Sequence, residues 1–162
     1  FVYITGFVLE PYPMAGSDHD IRDAADGDLH AIFEIENRVF APGWTLENLR
    51  KELAASFSRV LVAEYSGKVI AFISAWMVRG EMQINRLAVL PEHRRKGVAG
   101  ALLSTLVSRP VEPPLFKILL EVREKNEAAR AFYRSRGFIE SGLRKGYYRD
   151  DNAVLLEKEL RQ

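Results

Sequence analysis

The chain has 162 residues, a formal net charge of +1 and no cysteine. A domain of this size buries roughly 70% of its unfolded surface, so it needs no disulfide or structural metal to fold. The small net charge argues against a protein that holds nucleic acid mainly by charge, and no apolar run reaches the roughly 18–20 residues of a membrane span. The absence of cysteine is compatible with the reducing cytoplasm, which is the location we expect.

The start of the chain differs from the rest. Residues 1–9 are apolar but lack the basic start of a secretory signal, and Pro11-Tyr12-Pro13 follows them. Residues 14–20 are small and polar, as in a linker. The segment is either an added strand or an extension, and an apolar tail of this kind can also cover a groove. We expect an N-terminal extension or linker over residues 1–19 and one domain over residues 20–162.

From residue 20 onward the pattern is regular and begins with a strand and two helices. Ile21-Arg22 is a short strand candidate, and Asp26-Gly27-Asp28 offers a cap and first-turn acids for a helix over residues 29–40. The apolar residues of that helix follow near-helical spacing. Ala41-Pro42-Gly43 ends it, and Thr45 can cap a second helix that runs to about residue 55.

The middle of the chain predicts three strands and a third helix. Apolar runs at residues 60–64 and 69–78 flank Ser66-Gly67, which is typical of a hairpin turn. Gly80 separates the second run from a strand over residues 82–90. A helix over residues 97–108 follows. We therefore expect a three-stranded meander and then a crossover helix.

The last third predicts a strand, a helix and two more strands. Residues 116–122 form a buried-strand pattern, and Asn126 can cap a helix that ends at Gly137. Strands are expected at 138–143 and 153–160, joined by residues 146–152. The fold class is mixed α/β (α+β), with a mostly antiparallel central sheet flanked by about four helices.

The run Arg94-Arg95-Lys96-Gly97-Val98-Ala99-Gly100 lies between the third strand of the meander and the crossover helix. A helix start exposes unpaired backbone N–H groups and partial positive charge, and glycines allow a ligand to approach closely. This predicts a site for a pyrophosphate. Alternatively, the bases form a solvated surface or contact nucleic acid. The glycines can also be present simply for tight turns or close helix packing. The run is neither a P-loop nor a Gly-x-Gly-x-x-Gly motif, since Ala99 stands where the second glycine would be.

Two motifs carry a resemblance to a known family. The first is Arg-x-x-Gly-x-Ala at the start of the crossover helix, and the second is the pattern of residues 120–138, Leu-Glu-Val-Arg-x-x-Asn-x-x-Ala-x-x-Phe-Tyr-x-x-x-Gly-Phe. Together they resemble the GNAT superfamily of N-acetyltransferases over residues 20–160. Lys145-Gly146-Tyr147-Tyr148 is similar to the bacterial ribosomal-protein alanine N-acetyltransferase group within it.

The resemblance implies acetyl-CoA as cosubstrate, a GNAT-like fold and a set of site residues. Glu121 would be the general base and Tyr133 the general acid. Asn126 would contact the cofactor, and Trp44, Tyr147 and Tyr148 would line the acceptor slot. The remaining cofactor contacts would come from backbone or side chains of Leu87, Ala88, Val89, Arg94, Arg95, Lys96, Gly97, Val98, Ala99 and Gly100.

Each of these residues also has a purely structural alternative. Glu121 can pair with Arg123 or another cation at the edge of the sheet, and Tyr133 can belong to the core. Asn126 can be only a helix cap, and the two tyrosines can be ordinary strand residues. Trp44 can fill the turn between the first two helices. The three histidines are scattered without ligand-like spacing, so we expect no metal site.

The chemistry favours a protein N-terminus as the acceptor. An α-amino group is roughly one-tenth neutral at pH 7, whereas a lysine is below about a thousandth neutral. Only the neutral amine attacks a thioester, and without cysteine as an acyl carrier a direct transfer is expected. The alternatives are a small-molecule amine or lysine side chain as acceptor, or a non-catalytic acyl-CoA-binding domain. We expect no direct nucleic-acid or membrane partner.

Overall fold

The computed structural model describes residues 19–160 and arranges them as one sheet with helices on both faces. The α-helices in this part of the chain are α1 (Leu29–Val39), α2 (Leu46–Ala54), α3 (Val98–Ser108) and α4 (Glu127–Arg134). The strands are β1 (His19–Asp23), β2 (Ser58–Tyr65), β3 (Lys68–Val78), β4 (Glu81–Val89), β5 (Lys117–Arg123), β6 (Ile139–Tyr148) and β7 (Asp151–Glu159). The predicted mixed α/β class with about four helices is confirmed.

The strand order in the sheet is β1-β2-β3-β4-β5-β7-β6. Every neighbouring pair is antiparallel except β4 and β5, which are parallel. A parallel pair requires a crossover, and α3 lies within the segment that makes it. The predicted meander over β2, β3 and β4 and the single crossover helix are both confirmed.

Two tight turns set the register of the meander. Ser66 and Gly67 have φ angles of 49° and 75°, and Arg79 and Gly80 have φ angles of 51° and 82°. Two consecutive residues with positive φ match the twist of a hairpin. A Cβ on Gly80 would lie 2.9 Å from the backbone oxygen of Pro114, so this turn has no space for a side chain.

The pleat of the sheet divides the core into two layers. The α3–α4 face is covered by α3 and α4, and the α1–α2 face by α1 and α2. Leu61 of β2 packs on the α3–α4 face with Ile73, Met82, Leu102, Leu106 and Ile118. Its neighbour Val62 packs on the α1–α2 face with Ile32, Ile35, Leu49, Phe72 and Ala88. Full burial of each large aliphatic side chain contributes about 1.5–3 kcal/mol to stability.

The ends of the first two helices differ in how they are stabilised. The Thr45 hydroxyl accepts a hydrogen bond from the N–H of Asn48 at 3.1 Å, so the predicted cap of α2 is confirmed. Asp28 makes no such capping bond to α1. Its carboxylate instead accepts from the N–H of Ala25 at 2.8 Å and pairs with Arg22 at 2.7 Å. An arginine from the neighbouring strand is a stronger partner for a carboxylate than a neutral backbone N–H.

The hairpin of β6 and β7 differs from the prediction. The segment 146–152 was expected to be a loop, but β6 continues to Tyr148 and β7 already begins at Asp151. The strand passes through an irregularity between Arg144 and Tyr148, where Gly146 has a φ of 63°. A glycine inside a paired strand often marks such a bulge, and by sequence alone it is indistinguishable from a turn.

The predicted extension falls almost entirely outside the described residues, since residues 1–18 and 161–162 are not among them. Its boundary stays a prediction, and β1 begins at His19. Within residues 19–160, no helix is long and apolar enough to cross a membrane.

Candidate active site

A gap opens in the sheet where β4 and β5 diverge. Their pairing covers residues 81–84 of β4 and 117–120 of β5 and then stops, although both strands continue. The register of β4 against β3 shifts at Asn85, which leaves one extra residue and bends the strand. We call this opening the β4–β5 gap; residues 85–89 of β4 and 121–123 of β5 border it.

Leu87, Ala88 and Val89 form the β4 side of the gap. They pair with β3 on one edge, opposite residues 71–73, and within residues 19–160 they have no partner strand on the edge that faces β5. A strand edge of this kind leaves backbone donors and acceptors for a ligand. These are the three residues for which the resemblance implies contacts with an acetyl and pantetheine group, and that role stays a prediction.

The basic segment, residues 94–97, leads from the end of β4 into α3. The Arg94 side chain donates from Nε to the backbone oxygen of Val89 at 3.1 Å, and Lys96 Nζ donates to the oxygen of Glu92 at 3.0 Å. These bonds fix the loop against the end of the strand. Arg95 has a φ of 62°, which is uncommon for a residue with a side chain.

Gly97 is the N-cap of α3 and has a φ of 81° without any side-chain capping bond. The first N–H groups of α3, which belong to Val98, Ala99 and Gly100, are thus available to an anion, with the helix dipole behind them. Among the described residues, no atom lies within 4 Å of the position that a Cβ on Gly97 would take. The basic segment and this helix start together fit a pyrophosphate.

Gly100 faces a protein side chain. A Cβ at Gly100 would lie 2.6 Å from Nη2 of Arg136, which extends from beyond the end of α4 across the first turn of α3. The Arg136 guanidinium carbon is 3.7 Å from the centroid of the Phe132 ring. Sequence reasoning missed Arg136, which adds a fourth cation near the start of α3. No local signal indicates it, because the two helices are distant in the chain.

Asn126 caps α4 from the β5 side of the fold. Its side-chain oxygen accepts from the N–H of Ala129 at 3.1 Å, as the sequence predicts. The cap uses only the oxygen of the amide, so the NH2 group remains a donor for a ligand. The two roles left open for Asn126 are therefore compatible.

Glu121 lies at the edge of the gap, on the α1–α2 face. Its neighbours Leu120 and Val122 pack on the α3–α4 face, so the pleat directs Glu121 to the opposite side. Its Oε1 is 2.7 Å from Nη1 of Arg144 on β6, and the glutamate side chain is 21% exposed. The ion pair left open by the sequence is thus present, with Arg144 as partner. Arg123 pairs instead with Asp150 at 2.7 Å.

Tyr148 lies close to Glu121, and Tyr147 lies further out. Burial raises the pKa of Tyr148, the charge of Glu121 raises it further, and Arg123 and Arg86 oppose the change. The guanidinium carbon of Arg123 is 4.2 Å from the centroid of the Tyr148 ring. Tyr147 packs edge-to-face on Tyr148 at 5.2 Å and is 54% exposed, so it belongs to the outer rim.

Tyr133 lies on the other face of the sheet from Glu121. It lies on α4 in the core cluster of the α3–α4 face, with ring centroids 5.0 Å from Phe132 and 5.2 Å from Phe138. Burial raises the pKa of Tyr133 well above its ordinary value, because the phenolate would lose its hydration. The hydroxyl therefore stays protonated at neutral pH and beyond the pH at which an exposed tyrosine ionises.

Trp44 belongs to a cluster that sequence reasoning did not detect. The guanidinium carbon of Arg86 is 4.2 Å from the Trp44 ring centroid and 4.8 Å from that of Phe40. The buried Glu36 carboxylate accepts hydrogen bonds from Arg86 Nε and from the backbone N–H of Trp44, each at 2.9 Å. A signal existed, since Glu36 lies beside Ile32 and Ile35 on the apolar stripe of α1, where a carboxylate needs a cation.

The predicted residues therefore form three groups around one gap. The cofactor candidates border the gap and the start of α3, and Tyr133 lies under the α3–α4 face. The acceptor candidates Trp44, Tyr147 and Tyr148 lie with Glu121 on the α1–α2 side. Within residues 19–160, no group of three or more His, Cys, Asp or Glu is arranged to hold a metal ion.

The acetyltransferase (GNAT) family model matches residues 29–138. A ribosomal protein bS18-alanine N-acetyltransferase of Escherichia coli strain K12 is 32% identical over 121 residues, which cover 75% of this chain and 81% of that protein. An N-acetyltransferase of Methanocaldococcus jannaschii is 34% identical over 146 residues, 86% of this chain and 90% of that one.

The crystal structure of the ribosomal-protein-S18-alanine N-acetyltransferase from Escherichia coli superposes with a TM-score of 0.82 at 28% identity, covering 89% of this chain and 95% of that one. The family match spans more than half of the chain. The chain therefore belongs to the GNAT family and is an N-acetyltransferase that uses acetyl-CoA as its acetyl donor.

Proposed function

We propose that this N-acetyltransferase acetylates the N-terminal α-amine of a protein, such as a ribosomal protein, by direct transfer in the cytoplasm. The observation that carries the proposal is the position of Glu121, a partly exposed carboxylate at the edge of the β4–β5 gap on the α1–α2 face. Aromatic residues from the turn before α2 and from β6 lie on the same side. The Escherichia coli relative, named for the alanine of a ribosomal protein, supports this class of acceptor.

The acetyl-CoA end of the site uses backbone more than side chains. In our proposal the N–H groups of Leu87, Ala88 and Val89 that face the gap receive the acetyl carbonyl and the pantetheine. An N–H group near the thioester oxygen stabilises the negative charge that develops there during attack. The pyrophosphate lies on the basic segment and the start of α3, with Asn126 as a further donor.

Glu121 acts as the general base. Attack by a neutral amine produces an ammonium group that must lose a proton, and a carboxylate at the gap accepts it directly or through a water molecule. In the absence of an acceptor, Arg144 pairs with this carboxylate at 2.7 Å. Because the Arg144 side chain is 53% exposed, an arriving acceptor displaces it at little cost.

Tyr133 acts as the general acid for the leaving thiolate. Its hydroxyl is protonated at neutral pH and lies under the α3–α4 face, on the opposite side of the sheet from Glu121. In our proposal the base acts on the attacking nitrogen and the acid acts on the leaving sulfur, from opposite faces of the sheet at the gap. Proton removal and proton donation then do not compete for the same position.

The acceptor is expected to enter as an extended N-terminal segment between Trp44 and the tyrosines of β6. An α-amine is favoured over a lysine because roughly a tenth of it is neutral at pH 7. The chain contains no cysteine to carry an acetyl group, which favours a ternary complex of enzyme, acetyl-CoA and acceptor.

The test measures thiol release from acetyl-CoA with short peptides that differ in their first residue. Peptides with a blocked N-terminus and an internal lysine are included. We expect turnover on free N-termini only, and about a 100-fold or greater loss of kcat in Glu121→Gln with unchanged acetyl-CoA affinity. Arg144→Met breaks the same ion pair but keeps the carboxylate, so it should stay within a few-fold of wild type.

Two results would count against the proposal. Equal turnover by wild type and Glu121→Gln would show that Glu121 is not the general base. Turnover on the blocked, lysine-containing peptides or on small amines, without turnover on free N-termini, would move the acceptor to the alternative class while retaining the acetyl-CoA site.

A further inference from the structure

Arg86 lies next to the proposed reaction centre, and the proposed mechanism gives it no role. It lies two residues beyond Ile84, the last residue of β4 that pairs with β5, and directly before residues 87–89. Its side chain points to the α1–α2 face, where it meets Glu36 of α1. This is the face that also carries Glu121.

The guanidinium of Arg86 is fixed from several sides. Nε donates to Glu36 and Nη1 donates to the backbone oxygen of Asn85 at 3.1 Å. The rings of Phe40 and Trp44 lie 4.8 Å and 4.2 Å from its central carbon. A planar group with these contacts has lost most of its rotational freedom before any ligand arrives.

Donor capacity remains on this fixed group. Within residues 19–160, Nη2 of Arg86 makes no hydrogen bond, and the side chain is 24% exposed. Arg86 lowers the pKa of Tyr148, whereas Glu121 raises it, so both charges lie within electrostatic reach of that ring. The guanidinium lies against the Trp44 ring on the face that carries Glu121, and it is partly exposed there.

Glu36 holds this arrangement at a cost. It is fully buried, and its Oε2 has no hydrogen-bond partner in the part of the chain that the structure describes. A Cβ on Gly43 would lie 3.1 Å from Glu36 Cγ, so the turn before α2 packs closely on this carboxylate. A buried ion pair is often no more stabilising than apolar side chains of the same volume. We therefore attribute the presence of the buried Glu36 to its role in positioning Arg86 and Trp44, not to a gain in stability.

An acceptor peptide brings a matching group to this place. Its first carbonyl is separated from the attacking nitrogen by a single carbon atom, so it must lie beside the gap when the amine is in position. A carbonyl that leaves water without a new donor loses free energy, and arginine offers donors but no acceptor. Simple amines and polyamines lack this carbonyl.

We propose that Arg86 is a specificity-determining residue, which donates a hydrogen bond to the first backbone carbonyl of the acceptor and so selects peptide N-termini over simple amines. Glu36 is the positioning residue that orients Arg86. This inference rests on the proposed function and adds to it the group by which a peptide is distinguished.

The experiment compares wild type with Arg86→Met on two acceptors. One is a good peptide, and the other is its analogue with a trans-alkene in place of the first peptide bond, which keeps the shape but lacks the carbonyl oxygen. We expect Arg86→Met to raise the KM for the peptide about tenfold or more. The two proteins should differ by less than about twofold on the alkene analogue, because the bond is absent in both.

Further variants keep the comparison interpretable. Arg109→Met removes another half-exposed arginine, paired with Asp23 at the far edge of the sheet, and should change neither KM nor kcat. Arg86→Lys keeps the charge but not the planar group, so it replaces Arg86→Met if that variant does not fold. Its ammonium can still donate but lacks the fixed geometry, so a smaller rise in the peptide KM is expected. Glu36→Gln should raise the peptide KM by a smaller factor and leave the alkene unaffected.

The outcomes separate this inference from the proposed function. Equal losses on the peptide and on the alkene analogue would overturn the role of Arg86 while leaving N-terminal acetylation intact. If the wild-type protein acetylates none of the peptides, the proposed function itself is overturned. A change in acetyl-CoA affinity in Arg86→Met, with peptide KM unaltered, would assign Arg86 to the cofactor side and also contradict the inference.

Discussion

At the scale of single residues, burial decides the chemistry of Tyr133. The ring is 5% exposed and lies between two phenylalanines, so ionisation would place a charge in an apolar layer. The resulting rise in pKa favours the protonated hydroxyl. Arg136 opposes the rise, but the burial is the larger cause. A tyrosine in this environment remains a proton donor at a pH where an exposed tyrosine has ionised.

Tyr133→Phe should lower kcat on peptide acceptors by about 100-fold, because the thiolate then leaves without a proton. Its effect on stability has a defined pH dependence. The folded pKa is raised, so the contribution of the tyrosine is complete below its unfolded value of about 10 and is lost as pH rises further. Urea unfolding should therefore show wild type losing stability relative to the variant above about pH 10. A difference that is constant with pH would contradict this.

At the scale of elements, the start of α3 combines backbone strain with open space. Arg95 and Gly97 both have positive φ, and the helix has no side-chain cap. Unpaired N–H groups at a helix start are costly unless a ligand or water satisfies them. This arrangement suits an anion that the helix dipole and the basic segment attract together.

Gly97→Ala should destabilise the protein by about 1 kcal/mol and weaken acetyl-CoA binding, since an alanine resists the φ of 81°. The cost comes from the backbone alone, because the added Cβ meets no atom within 4 Å. Gly27→Ala is the matched control, as its Cβ also meets no atom within 4 Å and its φ is not positive. Calorimetric titration with acetyl-CoA measures the affinity; equal behaviour of the two variants would contradict the prediction.

At the scale of the whole molecule, the sheet consists of two antiparallel halves joined along a short parallel contact. β1 to β4 form one half and β5, β7 and β6 the other, with pairing between them confined to residues 81–84 and 117–120. Beyond that contact the gap separates the halves. A ligand in the gap would therefore bridge two halves of the sheet whose strands are hydrogen-bonded to each other only at one end.

Acetyl-CoA should protect the amides of residues 87–89 from hydrogen exchange much more than those of residues 60–63, which are paired within the β2–β3 hairpin. It should also raise the unfolding free energy by about 2.7 kcal/mol at a hundredfold excess over Kd. Exchange followed by mass spectrometry with and without the ligand measures both regions. Uniform protection of the two regions would show that the gap does not hold the ligand.

The sequence by itself determined the features that depend on neighbours along the chain. The period of apolar residues gave the helices and most strands, and Thr45 and Asn126 identified caps because a cap bonds to a residue three positions away. Ser66-Gly67 and Gly80 identified the turns of the meander. The motifs around residues 94–100 and 120–138 led to the family, and the comparisons confirm it.

Only the tertiary structure decided which distant residues meet. Arg86 is 50 positions from Glu36, and the Glu121–Arg144 and Gly100–Arg136 contacts likewise join separate elements. Such contacts follow from strand order and register, which no local pattern encodes. The extent of β6 is another case, since its pairing with β7 keeps a glycine-containing segment extended. Local preferences are worth tenths of a kcal/mol per residue to about 1, and pairing and burial readily exceed them.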